Sequence, residues 1–188
     1  MINKYTIFVT IFLVFILLIL FLRYQYIHKI EDKKINDRLK PIFDEIDSKN
    51  KLDKNIIPNT IFQTYFDKKR IPNKIQENLK KFAGNYKRVL FDDKDALKFL
   101  LENFGNIFVD KFKSMKKGAH KADLLRYCYL YINGGIYIDI KTELLINLDE
   151  IIYDKKNKLY TVLSYFNSNY ISNYINSAYQ GFIAVPPN

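Results

Sequence analysis

The chain opens with a long apolar segment, passes through a charged region and then alternates between short apolar runs and polar turns. The eighteen residues from Tyr5 to Leu22 carry no charged side chain, which is the length expected of a membrane-spanning helix. The segment is longer than the apolar core of a typical signal peptide, and no small-residue cleavage site follows it. We therefore expect residues 1–22 to be an N-terminal transmembrane anchor, with a cleaved signal peptide as the alternative.

Residues 23–55 are dense in charge and contain few large apolar side chains. We expect them to form a stem between the anchor and a folded domain at residues 56–188. Within the stem, apolar residues recur near helical spacing from Ile30 to Ile46, which favours a helix. Pro41 is expected to interrupt that helix, because proline lacks the backbone donor that a helix interior requires.

From Ile56 onward, strands are predicted to alternate with helices, a pattern that favours a parallel sheet with helical crossovers. Strands are predicted at residues 59–65, 86–91, 136–140, 159–165 and 181–185. Helices are predicted at 73–82, at 94–104 and in the segment that ends at Gly134. Asn73 and Asp93 are expected to cap the first two of these helices. Gly84 and Gly105 stand where helices commonly end, and the polar segment 166–179 is expected to be a solvated loop.

The segment 118–143 contains the candidate chemistry. Asp123 and Arg126 are three residues apart, so on a helix they share one face. A Gly-Gly turn follows, and then a β-branched and aromatic strand with Asp139 at its carboxyl end. Open α/β sheets usually bind ligands at that edge. The order of elements therefore predicts a polar site at the end of a strand.

This spacing resembles the sugar-nucleotide-binding region of glycosyltransferase family 32, a group of mannosyltransferase-like enzymes. The matching residues are Ala119, Ala122, Asp123, Arg126, Tyr127, Leu130, Tyr131, Gly134, Gly135, Ile136, Tyr137 and Asp139. Residues 57–64, 86–93 and 176–187 resemble further segments of the family, so the resemblance covers about residues 56–188. Relatives continue with further strands beyond the equivalent of Asn188, so we expect a domain truncated at its C-terminus.

The resemblance implies a GT-A-like α/β fold, with a Rossmann-like mixed sheet and flanking helices. It also implies transfer of a hexose from a UDP- or GDP-sugar to a glycan or other hydroxyl acceptor, with retention of anomeric configuration. The implied catalytic residues are Asp139 and Asp123, and Asp139 is also the implied metal ligand. The implied donor-binding residues are Gln63, Asp123, Arg126, Gly135, Tyr137, Asp139 and Lys141.

The chain departs from the family at the strand end, where Asp-x-Asp is replaced by Asp139-Ile140-Lys141. The resemblance implies Mn²⁺ or Mg²⁺ bound through the second aspartate, and a protonated lysine cannot ligate either ion. A lysine ammonium could instead neutralise the donor diphosphate directly. The alternative is a salt-bridged ladder in which Asp139, Lys141 and Glu143 lie on one side of a continuing strand.

The net charge limits the kinds of binding partner to be expected, and the cysteine content limits the disulfides. The formal net charge is +10, but the lysines are scattered and no nucleic-acid-binding module is present, so we expect no nucleic-acid partner. Anionic lipid or a sugar diphosphate suits the charge equally well. Cys128, the single cysteine, allows no internal disulfide and is expected to be buried and unreactive.

The anchor would make the protein a single-pass membrane protein, but two arguments about its orientation disagree. Basic residues follow the apolar span, and the positive-inside rule then favours a cytosolic catalytic domain. The resemblance instead implies a Golgi- or ER-type membrane with a lumenal domain. Two other functions also stay open: a non-catalytic glycosyltransferase remnant and a membrane-tethered basic binding module.

Overall fold

The structure, a computed structural model, describes the backbone of residues 4–166 and 175–188 and the side chains of residues 17–163 and 178–188. The chain divides into two compact units, Met1–Ser48 and Lys49–Asn188. The predicted boundaries after residues 22 and 55 stay predictions.

The first unit consists of one continuous helix, α1, which runs from Lys4 to Lys49 and contains Pro41. The prediction that Pro41 interrupts the stem helix is therefore wrong. Proline removes only one backbone donor, and the side-chain ion pair between Lys40 Nζ and Asp44 Oδ2 (2.5 Å) spans that position. Within the described part of the chain, no helix is both long and apolar enough to cross a membrane. The side chains of residues 5–16 lie outside the described ones, and the anchor stays a prediction.

The second unit contains a mixed sheet of five strands. These are β1 (Thr60–Thr64), β2 (Lys87–Phe91), β3 (Gly135–Ile138), β4 (Tyr160–Phe166) and β5 (Ile175–Val185), in the order β2-β1-β3-β5-β4. Strand β1 pairs in parallel with β2 and β3, whereas β5 is antiparallel to β3 and β4. The crossovers predicted from sequence thus exist only among the first three strands, and the mixed sheet fits the GT-A-like fold that the resemblance implies.

The helices of the second unit are α2 (Asn73–Phe82), α3 (Asp93–Phe104), α4 (Asn106–Ser114), α5 (Gly118–Asn133) and the short α6 (Leu148–Ile151). A 3-10 turn spans Lys68–Arg70. The cap of α3 is Asp92, not Asp93, and it forms a capping box with Asp95. Likewise α2 starts at Asn73 itself, after Pro72, because the fixed φ of proline suits the entry to a helix. Gly105 separates α3 from α4 with φ 75°, which is a conformation that glycine favours.

Helices pack on both faces of the sheet because neighbouring residues of each strand point to opposite sides. On one face the ring of Phe62 stacks on Tyr129 of α5, with centroids 3.8 Å apart. On the other face, Ile61 joins a buried cluster with Leu79 of α2 and with Ile136 and Ile138 of β3. This second cluster extends to α6 through Leu148. The result is a three-layer arrangement with a core on each side of the sheet.

A polar cluster closes the amino-terminal end of β1 and β2. The Tyr86 hydroxyl donates to Asp149 Oδ1 (2.5 Å), and the Lys155 ammonium donates to Asn59 Oδ1 (2.8 Å) and to Asp149 Oδ1 (3.2 Å). The hydrogen bond from Tyr86 and the Lys155 cation lower the pKa of the Asp149 carboxyl. Burial, followed by the bond to Asp149, raises the pKa of Tyr86. The cluster ties the loop after α6 to the strands.

We predict that Tyr86→Phe lowers the free energy of unfolding at pH 7 by about 1 kcal/mol, the usual net value of one hydrogen bond. A carboxyl with a lowered folded-state pKa contributes stability above its unfolded pKa and loses it as the pH falls through the folded value. The difference in the free energy of unfolding between wild type and Tyr86→Phe should therefore become smaller below about pH 4. Urea unfolding of the full chain at pH 7 and pH 3 measures both effects.

Tyr153→Phe provides the matched control, because Tyr153 is 81% exposed and, among the residues that the structure describes, makes only an edge contact with the ring of Tyr160. It should unfold like the wild type at both pH values. Equal stabilities of Tyr86→Phe and the wild type at pH 7 would show that the cluster contributes nothing to the fold.

Candidate functional site

The site lies where the three parallel strands end. Thr64, Phe91 and Ile138 close β1, β2 and β3 on the same edge of the sheet, and Asp139 follows directly. The backbone of Asp139 is fixed on both sides, because its N–H donates to Gly181 O (2.8 Å) and its carbonyl accepts from Thr142 N (2.9 Å). A carboxylate is thereby held at the edge where α/β sheets place ligands.

Arg126 is the central residue of this site and is only 5% exposed. One terminal nitrogen donates to Asp123 Oδ1, one turn earlier on α5, and the other donates to the backbone carbonyl of Gln180 on β5. Its Nε is buried and has no partner among the described residues. The guanidinium carbon lies 4.6 Å from the centroid of the Tyr137 ring, a distance typical of a cation–π contact.

Tyr137 links this arginine to Asp139. The tyrosine is buried on β3, and its hydroxyl donates to Asp139 Oδ1 at 2.6 Å. Burial and the neighbouring carboxylate both raise the pKa of Tyr137 far above its ordinary value, so the phenol stays protonated and remains a donor. Asp123, Arg126, Tyr137 and Asp139 thus form one continuous polar network. Their roles toward a donor stay predictions.

The Gly-Gly turn between α5 and β3 is required by backbone geometry. Gly134 and Gly135 have φ of 60° and 99°, which side chains other than glycine rarely adopt. A Cβ at Gly134 would lie 2.5 Å from Pro187 N, and one at Gly135 would lie 2.7 Å from Thr60 O. Gly135 therefore lets β3 approach β1 closely. The structure gives it this backbone role, and its predicted donor contact stays a prediction.

Gln63 lies in the sheet interior and is fully buried. Its Nε2 donates to Ile138 O (3.2 Å), and its Oε1 accepts from Arg88 Nε (2.8 Å). It shares a strand face with Ile61, whereas Tyr137 lies on the face of Phe62 and α5. The predicted role of Gln63 in donor binding stays a prediction, and its described contacts are all within the protein.

Lys141 lies in a turn, because β3 ends at Ile138 and residues 140–141 reverse the chain. The predicted strand to residue 140 is therefore too long, and the ladder that would continue through Glu143 does not form. Glu143 pairs instead with Lys74, with Nζ and Oε1 3.2 Å apart. Lys141 is exposed and has no ion-pair partner among the described side chains. It borders a cavity of about 300 Å³ together with Tyr65, Ile75 and Ile140.

These residues do not fit a divalent metal. Mn²⁺ and Mg²⁺ need several oxygen ligands, and Asp139 offers one carboxylate, whose Oδ1 already accepts from Tyr137. The carboxylate of Asp123 pairs with Arg126, and position 141 is a lysine. Across the described side chains, no group of three or more His, Cys, Asp or Glu residues could hold a metal ion. The predicted metal contact of Asp139 therefore has no supporting ligands in this part of the chain.

Two contributors to the site, and the side-chain partner of Gln63, were not predicted from sequence. Gln180 takes part through its backbone carbonyl, which gives no side-chain signal. Tyr65, which directly follows β1, borders the cavity. Its position as an aromatic residue at the end of a strand could have identified it from the sequence. Arg88 donates to Gln63 inside the sheet. A charged residue within an otherwise apolar strand could have identified it from the sequence.

Two expectations outside the network can be compared with the structure. Cys128 is buried, as predicted, and burial raises the pKa of its thiol to about 12; its low reactivity stays a prediction. The predicted loop at residues 166–179 is wrong at both ends, where Phe166 closes β4 and residues 175–179 belong to β5. Residues 167–174 lie outside the described ones.

Comparison with known proteins identifies the same region. Residues 69–158 match the family described as a glycosyltransferase sugar-binding region containing a DXD motif. A glycosyltransferase of Acanthamoeba polyphaga mimivirus is 30% identical over 137 residues, which cover 71% of this chain and 51% of that protein. The initiation-specific alpha-1,6-mannosyltransferase of Saccharomyces cerevisiae is 31% identical over 116 residues, covering 57% of this chain and 24% of that protein.

A third relative is the mannosyl phosphorylinositol ceramide synthase of Saccharomyces cerevisiae, which is 35% identical over 88 residues. Those residues cover 45% of this chain and 22% of that protein. The chain thus spans about half the length of the viral relative and about a quarter of the yeast proteins.

We predict that Gly135→Ala lowers the free energy of unfolding by at least about 2 kcal/mol, because it combines backbone strain with a steric contact. The added methyl group would push β3 away from Thr60 O and so displace Asp139. Gly118→Ala is the control, since a Cβ at Gly118 would meet nothing within 4 Å. Chemical unfolding should show Gly118→Ala at or slightly above wild-type stability. Equal effects of the two substitutions would contradict this account of the turn.

Proposed function

Because the chain belongs to the glycosyltransferases with a DXD-type sugar-binding region, we propose that it transfers a hexose from a UDP- or GDP-sugar to a hydroxyl group of a glycan or similar acceptor. The observation that carries this proposal is the network Asp123–Arg126–Tyr137–Asp139 at the carboxyl edge of the parallel strands. It holds two carboxylates, oriented through a buried arginine and a tyrosine, at the carboxyl ends of the strands, where α/β sheets usually bind ligands.

Hexosyl transfer requires charge of both signs near the donor. The departing diphosphate gains negative charge while the sugar becomes oxocarbenium-like, so preorganised positive and negative groups stabilise the transition state. The carboxylates of Asp123 and Asp139 suit the sugar side. Asp139 is held by Tyr137, so its orientation is set before the donor binds.

The two basic residues have different tasks in this proposal. Arg126 is almost fully buried, and its terminal nitrogens are engaged by Asp123 and the Gln180 carbonyl. It therefore serves mainly to position Asp123 and Tyr137. Lys141 is exposed at the turn after Asp139, and its flexible ammonium is a suitable point charge for a phosphate. We assign the diphosphate to Lys141.

The cavity beside Lys141 supports this assignment. This cavity has a volume of about 300 Å³, and its walls include the ring of Tyr65 and the apolar side chains of Pro72, Ile75 and Ile140. Such walls suit the flat face of a nucleoside base, and aromatic stacking on a base is a common mode of recognition. A base in this cavity would bring its diphosphate toward Lys141.

The second candidate function is a glycosyltransferase remnant that folds but does not turn over. It is favoured by one observation, the lysine at the position where the family carries its second aspartate. The two candidates differ in whether the donor binds and whether sugar is transferred. A membrane-tethered basic binding module without any donor site remains the third.

We predict that UDP- or GDP-sugar binding is insensitive to EDTA and weakens about tenfold in Lys141→Ala, which corresponds to about 1.4 kcal/mol for a lost charge-assisted contact. Lys141→Asp restores the family's pair of carboxylates and should make binding depend on manganese. Isothermal titration calorimetry with each donor, with EDTA or manganese, measures these affinities.

Lys87→Ala is the matched control, because this exposed lysine begins β2 at the opposite end of the sheet. It should bind donor like the wild type. If the wild type binds no donor under either condition, the assignment of Lys141 fails and the remnant takes its place. If donor binds but no sugar or water-dependent hydrolysis product forms, the site is a binding site without turnover.

We also propose that residues 1–22 anchor the protein in a membrane of Golgi or ER type. The uncharged run from Tyr5 to Leu22 supports this proposal. The full-length chain should stay with membranes through a carbonate wash and be released by detergent, whereas a chain without residues 1–23 should not sediment with membranes. Recovery of the full-length chain in the carbonate supernatant would contradict the anchor.

A further inference from the structure

A second cavity lies on the opposite face of the sheet from the Arg126–Tyr137–Asp139 network. Its volume is about 520 Å³, and it lies between α2 and the strands β1 and β2. Its lining combines apolar residues of the sheet and of α2 with polar side chains, which are Asn73, Gln76, Glu77 and Lys80 from α2 and Tyr86 and Arg88 from the β2 side. The proposed donor site uses none of these residues.

Arg88 is the unusual member of this lining. Its Nε donates to Gln63 Oε1 at 2.8 Å, while one terminal nitrogen is buried and has no hydrogen-bond partner among the described residues. No carboxylate of the described part of the chain forms an ion pair with it. Burial lowers the pKa of its guanidinium. A half-buried cation without a counter-ion is costly for the fold.

We propose that this cavity binds a small ligand bearing a phosphate or carboxylate group, and that the anion pairs with Arg88. Both groups accept N–H donors of a guanidinium, and one terminal nitrogen of Arg88 has no hydrogen-bond partner among the described residues. Lys80 adds a second positive charge to the lining. The amides of Asn73 and Gln76 add neutral hydrogen-bonding groups suited to a polar ligand body.

The same arginine connects the cavity to the strand that carries Asp139. Gln63 accepts from Arg88 and donates to the carbonyl of Ile138, the residue immediately before Asp139. An anion that draws the guanidinium toward the cavity would compete with the bond to Gln63 Oε1. Occupancy of this cavity is therefore expected to alter the environment of the Gln63 side-chain amide.

Glu77 provides the competing explanation within the chain. It lines the same cavity, and a change of rotamer could bring its carboxylate to Arg88 as an internal counter-ion. In that case Glu77→Gln would destabilise the protein and leave external anions without effect. If an external anion is the partner, Glu77→Gln removes a like charge and should strengthen its binding.

The test uses the Nε–H signals of the five arginines in proton–nitrogen NMR spectra of the full-length chain in detergent. Arg88→Lys assigns the Arg88 signal by its loss. Inorganic phosphate and sodium acetate are titrated separately against sodium chloride at constant ionic strength. We expect a saturable shift of the Arg88 signal and of the Gln63 amide with phosphate or acetate, with a dissociation constant on the order of 1 mM.

Arg70 is the internal control, because its guanidinium is exposed and pairs with Asp67 at 3.4 Å. Its signal should follow ionic strength alone. Glu77→Gln should lower the dissociation constant about threefold, and Arg88→Lys should weaken binding, as read from the Gln63 amide. Saturable binding of phosphate, of acetate or of both would support the site, and the pattern would identify which anion it prefers.

Three results would overturn the proposal. They are the absence of a saturable Arg88 shift with either anion, an identical shift with chloride, and lower stability of Glu77→Gln without any gain in anion affinity. The outcome is separate from that of the donor site, because UDP- or GDP-sugars are expected to shift the Arg126 signal. If the Arg88 signal does not respond to anions, the test of donor binding at Arg126 is unaffected, and the reverse also holds.

Discussion

The burial of Arg126 is the constraint on which the candidate site depends. A guanidinium that is 5% exposed must have its charge compensated nearby, because removing a cation from water is costly. Asp123 supplies the counter-charge, the Gln180 carbonyl accepts a second donor, and the Tyr137 ring covers one face. These partners come from α5, β5 and β3, so compensating one charge fixes three elements relative to one another.

The sheet changes from parallel to antiparallel pairing at β3, the strand that carries Tyr137 and leads to Asp139. Strand β3 pairs in parallel with β1 on one side and antiparallel with β5 on the other, so its end is supported from both sides. The backbone of Asp139 continues this support through its bond to Gly181 O. Close contact with β1 is in turn permitted by Gly135, where a Cβ would collide with Thr60 O. A rigid strand end of this kind is what a preorganised carboxylate requires.

Sequence patterns predicted the elements better than their ends. The strands around Phe62, Val89 and Ile136 were found because β-branched and aromatic runs mark buried strands. The ends were missed where a local contact outweighs the pattern: α3 is capped by Asp92 because Asp95 completes a capping box with it. The antiparallel start of β5 at Ile175 was hidden by an Asn- and Ser-rich composition typical of loops.

The candidate site was predictable to the extent that its residues act through side chains at regular spacing. Asp123 and Arg126 share a helix face, and Tyr137 and Asp139 share a strand side, so their contacts follow from helical and strand periods. Gln63 was expected at the donor. Its described partners lie inside the sheet, and sequence spacing alone does not reveal which side chains of the neighbouring strand it will meet.

The turn after β3 decides what Lys141 can do. In a continuing strand, residue 141 would point to the same side as Asp139 and would be held there by the pleat. The strand instead ends at Ile138, and the bond from Thr142 N to Asp139 O closes a turn that contains residues 140 and 141. The ammonium therefore sits on a flexible side chain at an exposed turn, and it can move toward a phosphate while Asp139 stays fixed. The proposed role of Lys141 at the donor diphosphate rests on this arrangement of a mobile cation beside a fixed carboxylate.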